Sequence, residues 1–278
     1  MGNERFQEDG ISPDYTLKDL LEVMTRLRDP DFGCPWDIKQ SFESIVPSTL
    51  EECYELADAI EQKNMPHVAE ELGDVLFQVI FYCQLGKEQA LFDFSGVVHA
   101  LVDKLLRRHP HVFVNGDINT QAVESIDTEA VKANWEAIKR QERLAKSQSG
   151  ILADIPRALP ALPRAQKLQK RAAHVGFDWA ELSQVLANLE GEIAELRGAL
   201  NEGNAEHIED EFGDVLFSAV NVGRHLNIDA ERALRRANRK FERRFSSMES
   251  KAAEANKALE SMTPLELDAL WRAAKQSD

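Results

Sequence analysis

Apolar residues recur every three or four positions through most of this chain, and that spacing predicts amphipathic α-helices. One helix is expected over about 16–28. Another is expected over about 47–62, where Ser48 and Glu51 have the spacing of a capping box. Further helices are expected at about 66–86, 95–108, 205–226 and 229–250, and from Thr263 onward. The alternation that indicates β-strands is nearly absent, so the pattern predicts an all-α protein.

A proline-rich stretch divides the helical pattern into two parts. Residues 147–163 contain Pro156, Pro160 and Pro163 next to serine and glycine, which is typical of a domain boundary. Beyond it the pattern restarts with a helix that Asp178 is expected to cap. We therefore expect a mobile arm at 1–15 and tandem four-helix-type domains, joined by a charged helix at 128–147. The expected bounds are 1–127 for the N-terminal domain, 128–163 for the helical connector and proline-rich linker, and 164–278 for the C-terminal domain.

An acidic segment occurs twice in the chain, 140 residues apart. Glu71-Leu72-Gly73-Asp74 returns as Glu211-Phe212-Gly213-Asp214, and the pair Glu52 and Glu55 returns as Glu192 and Glu195. A match that keeps a second acidic pair at the same offset indicates an internal duplication. The i, i+3 spacing places each pair on one face of its helix.

The distances of these acids from the intervening turns predict two antiparallel helical hairpins. Glu52 would face Asp74 and Glu55 would face Glu71, and the same pairing holds for Glu192 with Asp214 and Glu195 with Glu211. Converging carboxylates at ~4 Å repel by roughly 4 kcal/mol per pair at an effective dielectric of about 20, so protonation or a bound cation is needed. An all-carboxylate set suits Mg²⁺ or Mn²⁺. A di-iron site is the competing interpretation, but it expects Glu-x-x-His on two helices.

A basic cluster is also repeated. Lys104, Arg107 and Arg108 share one helical face, as do Lys240, Arg243 and Arg244 in the second half. Such clusters could bind phosphate oxygens, with arginine as a bidentate fork. The alternative is compensation of the helix dipole together with ion pairs to nearby carboxylates.

Composition and charge narrow the possible partners. The net charge of −15 argues against non-specific binding to nucleic acid, which needs a basic surface. The longest apolar run is too short to span a bilayer, so no membrane partner is expected. Cys34, Cys53 and Cys83 are isolated, which favours a reducing cytoplasm.

With these motifs in place, the chain resembles the MazG family of nucleoside triphosphate pyrophosphohydrolases over nearly its full length. The resemblance rests on the two acidic patterns and on further motifs: Cys34-Pro35-Trp36-Asp37, Arg107-Arg108-His109-Pro110-His111-Val112-Phe113, Val175-Gly176-Phe177-Asp178-Trp179 and Lys240-Phe241-Glu242-Arg243-Arg244-Phe245. It implies tandem all-α MazG-like domains, a homodimer, and Mg²⁺-dependent conversion of nucleoside triphosphates to monophosphates and pyrophosphate.

The resemblance also implies roles for particular residues. Metal ligands would be Glu192, Glu195, Glu211 and Asp214, which would also be the catalytic residues, and Glu52, Glu55, Glu71 and Asp74. Substrate contacts would come from Asn188, Glu192, His207, Asp210, Asp214, Lys240, Arg243, Arg244 and Trp271, and from Lys104, Arg107 and Arg108. The Trp271 indole could stack on a base, or it could simply pack on the bundle. The chain departs from the family pattern at Gly191, where a glutamate is expected, and at His207, where some members have lysine.

Two alternatives come from other functional classes. A non-catalytic helical regulator could bind nucleotide or a partner protein through the same pocket without releasing pyrophosphate. A di-iron oxidoreductase would contain iron.

Overall fold

The computed structural model describes residues 15–120 and 150–276, together with residues 127, 130, 131, 134, 135, 138 and 142. Over these residues the regular secondary structure is helical and contains no strand, which confirms the predicted all-α class. The expected arm at 1–15 and the charged connector helix at 128–147 fall almost wholly outside the described residues. Contacts divide the chain into two units, Met1–Arg140 and Gln141–Asp278.

The first unit is built around a helical hairpin. Its helices are α1 (Leu17–Leu27), α2 (Pro35–Ile38), α3 (Phe42–Gln62), α4 (Met65–Glu88) and α5 (Phe94–Arg108). The hairpin of α3 and α4 turns at Lys63, whose φ of 59° is left-handed, and the Asn64 side chain caps α4. A core of Met24, Ile45, Ile80, Phe81 and Leu85 fixes α1, α3 and α4 together.

The start predicted for α3 near Pro47 is wrong. The helix begins at Phe42, because the Ser41 hydroxyl accepts a hydrogen bond from the Ser44 N–H while the Ser44 side chain bonds back to Ser41. Pro47 is the sixth residue of this helix, so its ring removes the main-chain donor that would otherwise bond to the Glu43 carbonyl. The box expected from Ser48 and Glu51 does not form, so the Glu51 carboxylate is not used as a cap.

The second unit repeats the hairpin. Its helices are α6 (Ala161–Ala173), α7 (Leu182–Glu202), α8 (Ala205–His225), α9 (Ala230–Glu254) and α10 (Pro264–Gln276). The hairpin of α7 and α8 turns at Gly203, with φ of 73°, and Asn204 caps α8. The sequence did not indicate α6, which begins inside the expected linker. Pro163 is tolerated there because it lies in the first turn, where main-chain donors have no helical partner.

The cap predicted for α7 is also wrong. Glu181, not Asp178, is the N-cap, and it exchanges hydrogen bonds with Gln184. The Asp178 carboxylate instead accepts hydrogen bonds from Arg224 and His225 at the end of α8. The Arg224 guanidinium is the main reason that the pKa of Asp178 falls to about 2. This ion pair fastens the loop before α7 to α8.

In the described part of the chain, no helix is both long and apolar enough to cross a membrane.

Candidate active site

Each hairpin brings three carboxylates together. In the first unit these are Glu52 and Glu55 of α3 and Glu71 of α4, and one oxygen from each lies within 4.8 Å of the others. Glu192 and Glu195 of α7 and Glu211 of α8 form the matching group in the second unit, within the same distance. The i, i+3 spacing supplies the pair on one helix, and the antiparallel turn places the third glutamate opposite them.

The fourth predicted acid of each half is not a member of these groups of three. Asp74 and Asp214 are exposed and are not among the clustered oxygens. An aspartate is one methylene shorter than a glutamate, and each lies nearly a full turn beyond Glu71 or Glu211 on the same helix. Asp74 is nevertheless close enough to Glu52 to help raise the pKa of that carboxyl.

Glu71 and Glu211 each keep one oxygen buried without a hydrogen-bond partner. The orphaned atoms are Glu71 Oε2 and Glu211 Oε2, and Glu71 as a whole is only 6% exposed. Leaving a buried carboxylate oxygen unpaired costs roughly 1–3 kcal/mol or more, so a hydrogen-bond donor or a cation is expected at each of these atoms. The donor set contains only carboxylate oxygens, which is the preference of a hard divalent cation. The residues present therefore fit Mg²⁺ or Mn²⁺.

A histidine contacts the other oxygen of each of these glutamates. His207 Nε2 lies 3.1 Å from Glu211 Oε1, and His207 Nδ1 lies 3.0 Å from Glu202 Oε2. His67 Nδ1 lies 3.3 Å from Glu71 Oε1 in the first unit. The hydrogen bond with Glu202, followed by the nearby negative charges, raises the pKa of His207. His207, whose contact with the substrate stays a prediction, therefore contacts the acidic cluster through Glu211.

Electrostatic strain is visible at Glu52. Burial and then the charges of Asp74, Glu55, Glu71 and Glu51 raise the pKa of this carboxyl above its usual value. A bound cation would reverse that shift by favouring the ionised form.

The two clusters have different surroundings. In the first unit, a cavity of about 460 Å³ is lined by Glu51, Tyr54, Glu55, Asp58, His67 and Glu71. At the positions 140 residues after Glu51, Tyr54 and Asp58, the second unit has Gly191, Ala194 and Gly198. A side chain added at either glycine would meet open space. The first site is therefore more acidic, and the second is more open along α7.

A polar pair behind the second cluster was not anticipated in full. Asn188 Nδ2 donates to Glu192 Oε1 at 3.1 Å and to Ser218 Oγ at 2.9 Å. The family resemblance predicts Asn188 at the substrate and assigns no role to Ser218. A serine in the otherwise apolar run Val215–Val220 is the signal that could have indicated it.

The predicted basic residues lie on the helices that follow the hairpins. Lys104, Arg107 and Arg108 lie in the second half of α5, and Arg107 pairs with Asp103 at 2.6 Å. Lys240, Arg243 and Arg244 lie on α9, which packs chiefly against α10 and α6. Lys240 and Arg243 are exposed, whereas Arg244 is half-buried.

Trp271 packs beside the second basic cluster. Its ring lies 5.4 Å from the ring of Phe241, and the guanidinium carbon of Arg244 lies 5.9 Å from the indole. Trp271 also lines an open apolar groove of about 600 Å³ with Phe245 and Met248. The indole thus packs on the bundle and also borders open space. Asp210 is exposed on α8, beside Glu211.

Fold and site together define an all-α chain with two repeated helical hairpins, each of which has a cluster of carboxylates that could bind a metal ion. The family model described as the MazG nucleotide pyrophosphohydrolase domain matches both hairpins, at residues 40–113 and 181–248. The chain belongs to the MazG family.

Relatives match nearly the whole chain. An Escherichia coli K12 protein named nucleoside triphosphate pyrophosphohydrolase is 44% identical over 261 residues, which is 93% of this chain and 97% of that protein. A Thermotoga maritima protein named nucleoside triphosphate pyrophosphohydrolase/pyrophosphatase MazG is 42% identical over 262 residues, or 94% and 96% of the two chains. A crystal structure titled as a mazG-related protein from Thermotoga maritima covers 45% of this chain and 99% of its own, with 26% identity and a TM-score of 0.37.

Proposed function

We propose that this chain is a Mg²⁺-dependent nucleoside triphosphate pyrophosphohydrolase, which converts a nucleoside triphosphate and water to a nucleoside monophosphate and pyrophosphate. The activity follows from its membership of the MazG family and from relatives of that name that match it almost end to end. The observation that supports metal dependence is the buried, unpartnered oxygen of Glu71 and Glu211 within a group of three carboxylates.

The metal would be held by the clustered glutamates. Glu192, Glu195 and Glu211 are the proposed ligands in the second unit and Glu52, Glu55 and Glu71 in the first, with Asp214 and Asp74 as further ligands at the exposed edge. When bound, the ion supplies positive charge to the phosphate oxygens and lowers the pKa of a water molecule. Mn²⁺ should substitute for Mg²⁺, because both accept carboxylate oxygens.

The chain's own groups would promote attack at the α-phosphorus. The water oxygen forms the new bond to that phosphorus, and a carboxylate of the cluster takes the water proton. The bond between the α-phosphorus and the bridging oxygen breaks, and its electron pair leaves with pyrophosphate. Lys240, Arg243 and Arg244 would offset the charge that develops on this leaving group. Lys104, Arg107 and Arg108 would do so in the first unit.

Other side chains would orient the nucleotide. Trp271 offers an indole at the edge of an apolar groove, next to the Arg244 guanidinium. A base could stack on that ring while the cation contacts a phosphate. Asp210 is exposed beside the acidic cluster and is a proposed contact. His207 and Asn188 are also proposed to contact the substrate, in addition to the contacts that they make with Glu211 and Glu192.

We propose that the protein is a homodimer. Large apolar side chains are exposed at equivalent positions of both hairpins, between 40% and 56%: Val46 and Leu186, Ile60 and Leu200, Leu72 and Phe212, Leu76 and Leu216. Repeated apolar faces of this kind are typical of surfaces that another chain covers. We propose that a second copy of this chain covers these faces, because a symmetric dimer pairs the same apolar surface of both copies.

Domain limits and location are also proposals. We place the domains at 1–127 and 164–278, with the connector and linker at 128–163; α6 begins three residues before the second domain's limit. We place the protein in the cytoplasm, in agreement with the free thiols of Cys34, Cys53 and Cys83. Its net charge of −15 argues against non-specific binding to nucleic acid.

The reaction class can be tested with the full chain and a panel of nucleoside triphosphates. Incubation with Mg²⁺ in ¹⁸O-labelled water should yield monophosphate and pyrophosphate, with the label in the monophosphate. EDTA should stop the reaction and Mn²⁺ should restore it. Release of inorganic phosphate and a diphosphate would contradict attack at the α-phosphorus, and binding without products would indicate a regulator.

A further inference from the structure

The second unit contains a polar connection behind its metal-type cluster that the first unit builds differently. Ser218 of α8 is 6% exposed, and its hydroxyl oxygen accepts a hydrogen bond from Asn188 Nδ2 at 2.9 Å. The same amide nitrogen donates to Glu192 Oε1 at 3.1 Å. The Ser218 hydroxyl itself lies 3.5 Å from Glu192 Oε1, too far for a strong bond. Asn188 is therefore the direct contact, and Ser218 lies behind it.

We propose that Ser218 is a positioning residue for the C-terminal cluster: by fixing the Asn188 amide, it holds the Glu192 carboxylate in the orientation that binds metal. An asparagine amide has two N–H donors, and here one serves Ser218 and the other serves Glu192. The two bonds together fix the rotation of the amide about its last torsion. A carboxylate held by Oε1 keeps its second oxygen for a ligand.

The inference rests on the proposed function, since it assumes that Glu192 binds a metal ion. Removing a group that hydrogen-bonds to a metal ligand and orients it typically lowers metal affinity or activity by 10–100-fold. A change of that size in metal affinity would distinguish a positioning role of Ser218 from a purely structural one.

The first unit has the same helical hairpin but lacks this hydrogen-bonded connection to the acidic cluster. The residue equivalent to Ser218 is Gln78, also 6% exposed. Thr49 Oγ1 donates to Gln78 Oε1 at 3.4 Å and lies 2.8 Å from the Tyr82 hydroxyl. Thr49 is one position after the equivalent of Asn188, so this network is directed to Tyr82 rather than to Glu52. Gln78 is therefore a matched control for the loss of a buried polar side chain.

The test measures Mn²⁺ binding by electron paramagnetic resonance on the full chain. A background with Glu52→Gln and Glu55→Gln removes two ligands of the first cluster and leaves the second. In that background, Ser218→Ala should raise the Mn²⁺ dissociation constant by about tenfold or more. Gln78→Ala should lower the thermal stability without changing the Mn²⁺ dissociation constant.

A second variant tests the route through Asn188. Asn188→Ala, at a half-buried position, should weaken Mn²⁺ binding at least as much as Ser218→Ala, and it provides the test if Ser218→Ala does not fold. The double variant should be no weaker than Asn188→Ala alone, because Ser218 acts only through that amide.

Four results would overturn the inference. An unchanged dissociation constant in a folded Ser218→Ala protein would remove the positioning role, as would an equal loss in Gln78→Ala. Additive effects in the double variant would remove the route through Asn188. If the background protein bound no Mn²⁺, the proposed C-terminal metal site would fail and this inference with it, whereas binding that is unchanged by Ser218→Ala refutes the inference alone.

Discussion

Replacing Glu71 by glutamine should stabilise the metal-free protein while it removes a proposed ligand of the N-terminal metal site. Glu71 is 6% exposed, and one of its oxygens lies within 4.8 Å of oxygens from Glu52 and Glu55. Its Oε2 is buried without a partner. The substitution keeps the shape of the side chain, removes one negative charge and introduces an amide that can donate to a neighbouring carboxylate.

The magnitude follows from the geometry. At 4.8 Å and an effective dielectric of about 20, each like-charged pair is destabilised by ~3.5 kcal/mol if both groups are ionised. Glu55 is exposed, so water screens its charge and reduces this repulsion. Losing the contact with His67, whose side chain is 43% exposed, costs ~0.5 kcal/mol. We expect a net gain of about 1–3 kcal/mol in the free energy of unfolding.

Thermal unfolding in EDTA measures this gain. A change of 1 kcal/mol shifts Tm by ~2–4 °C for a chain of this size, so Glu71→Gln should raise Tm by several degrees. Glu70→Gln is the control, because Glu70 contacts the same histidine but its side chain is 74% exposed. Added Mg²⁺ should stabilise the native protein more than the variant. A Tm for Glu71→Gln at or below that of the control in EDTA would refute the electrostatic reasoning.

Two further predictions concern the ion pair before α7 and the apolar faces. Since Arg224 lowers the pKa of Asp178 from 3.8 to about 2, the pair stabilises the fold above pH ~4, and its contribution disappears as pH falls through ~2. Asp178→Asn should therefore lower the free energy of unfolding by ~1–2 kcal/mol at pH 7 and by much less at pH 2, in urea titrations; an equal loss at both pH values would contradict this. Leu76→Asp combined with Leu216→Asp should convert dimer to monomer in light scattering, whereas Leu265→Asp on exposed α10 should not; a variant dimer of unchanged stability would contradict the proposed interface.

The positions of the hairpins were predictable because they depend on local rules. Apolar periodicity gave α3, α4, α7 and α8 nearly in place, and the mirror spacing of the acids located both turns, at Lys63 and Gly203. The start of α3 was not predictable from the same rules. Ser41 and Ser48 both have capping partners three residues on, and the choice between them depends on where the preceding segment packs.

The glutamates of both carboxylate clusters were predictable from the sequence, but the positions of the aspartates were not. Spacing alone placed Glu52, Glu55 and Glu71 on facing helix surfaces, but it could not show that the shorter Asp74 stays at the exposed edge. Contacts that depend on side-chain rotamers could not be predicted from the sequence. The bond between His207 and Glu211 needs a particular imidazole orientation, and the link from Ser218 to Glu192 depends on how two helices are rotated against each other.

Pyrophosphate release by the full chain with Mg²⁺ should be compared across Glu71→Gln, Glu211→Gln and the double variant, because the two carboxylate clusters are proposed to hold the metal that the reaction needs. We predict that the double variant releases no pyrophosphate above the EDTA background although it remains folded by circular dichroism. The single variants should show how the activity divides between the two units. Undiminished release by a folded double variant would contradict the account.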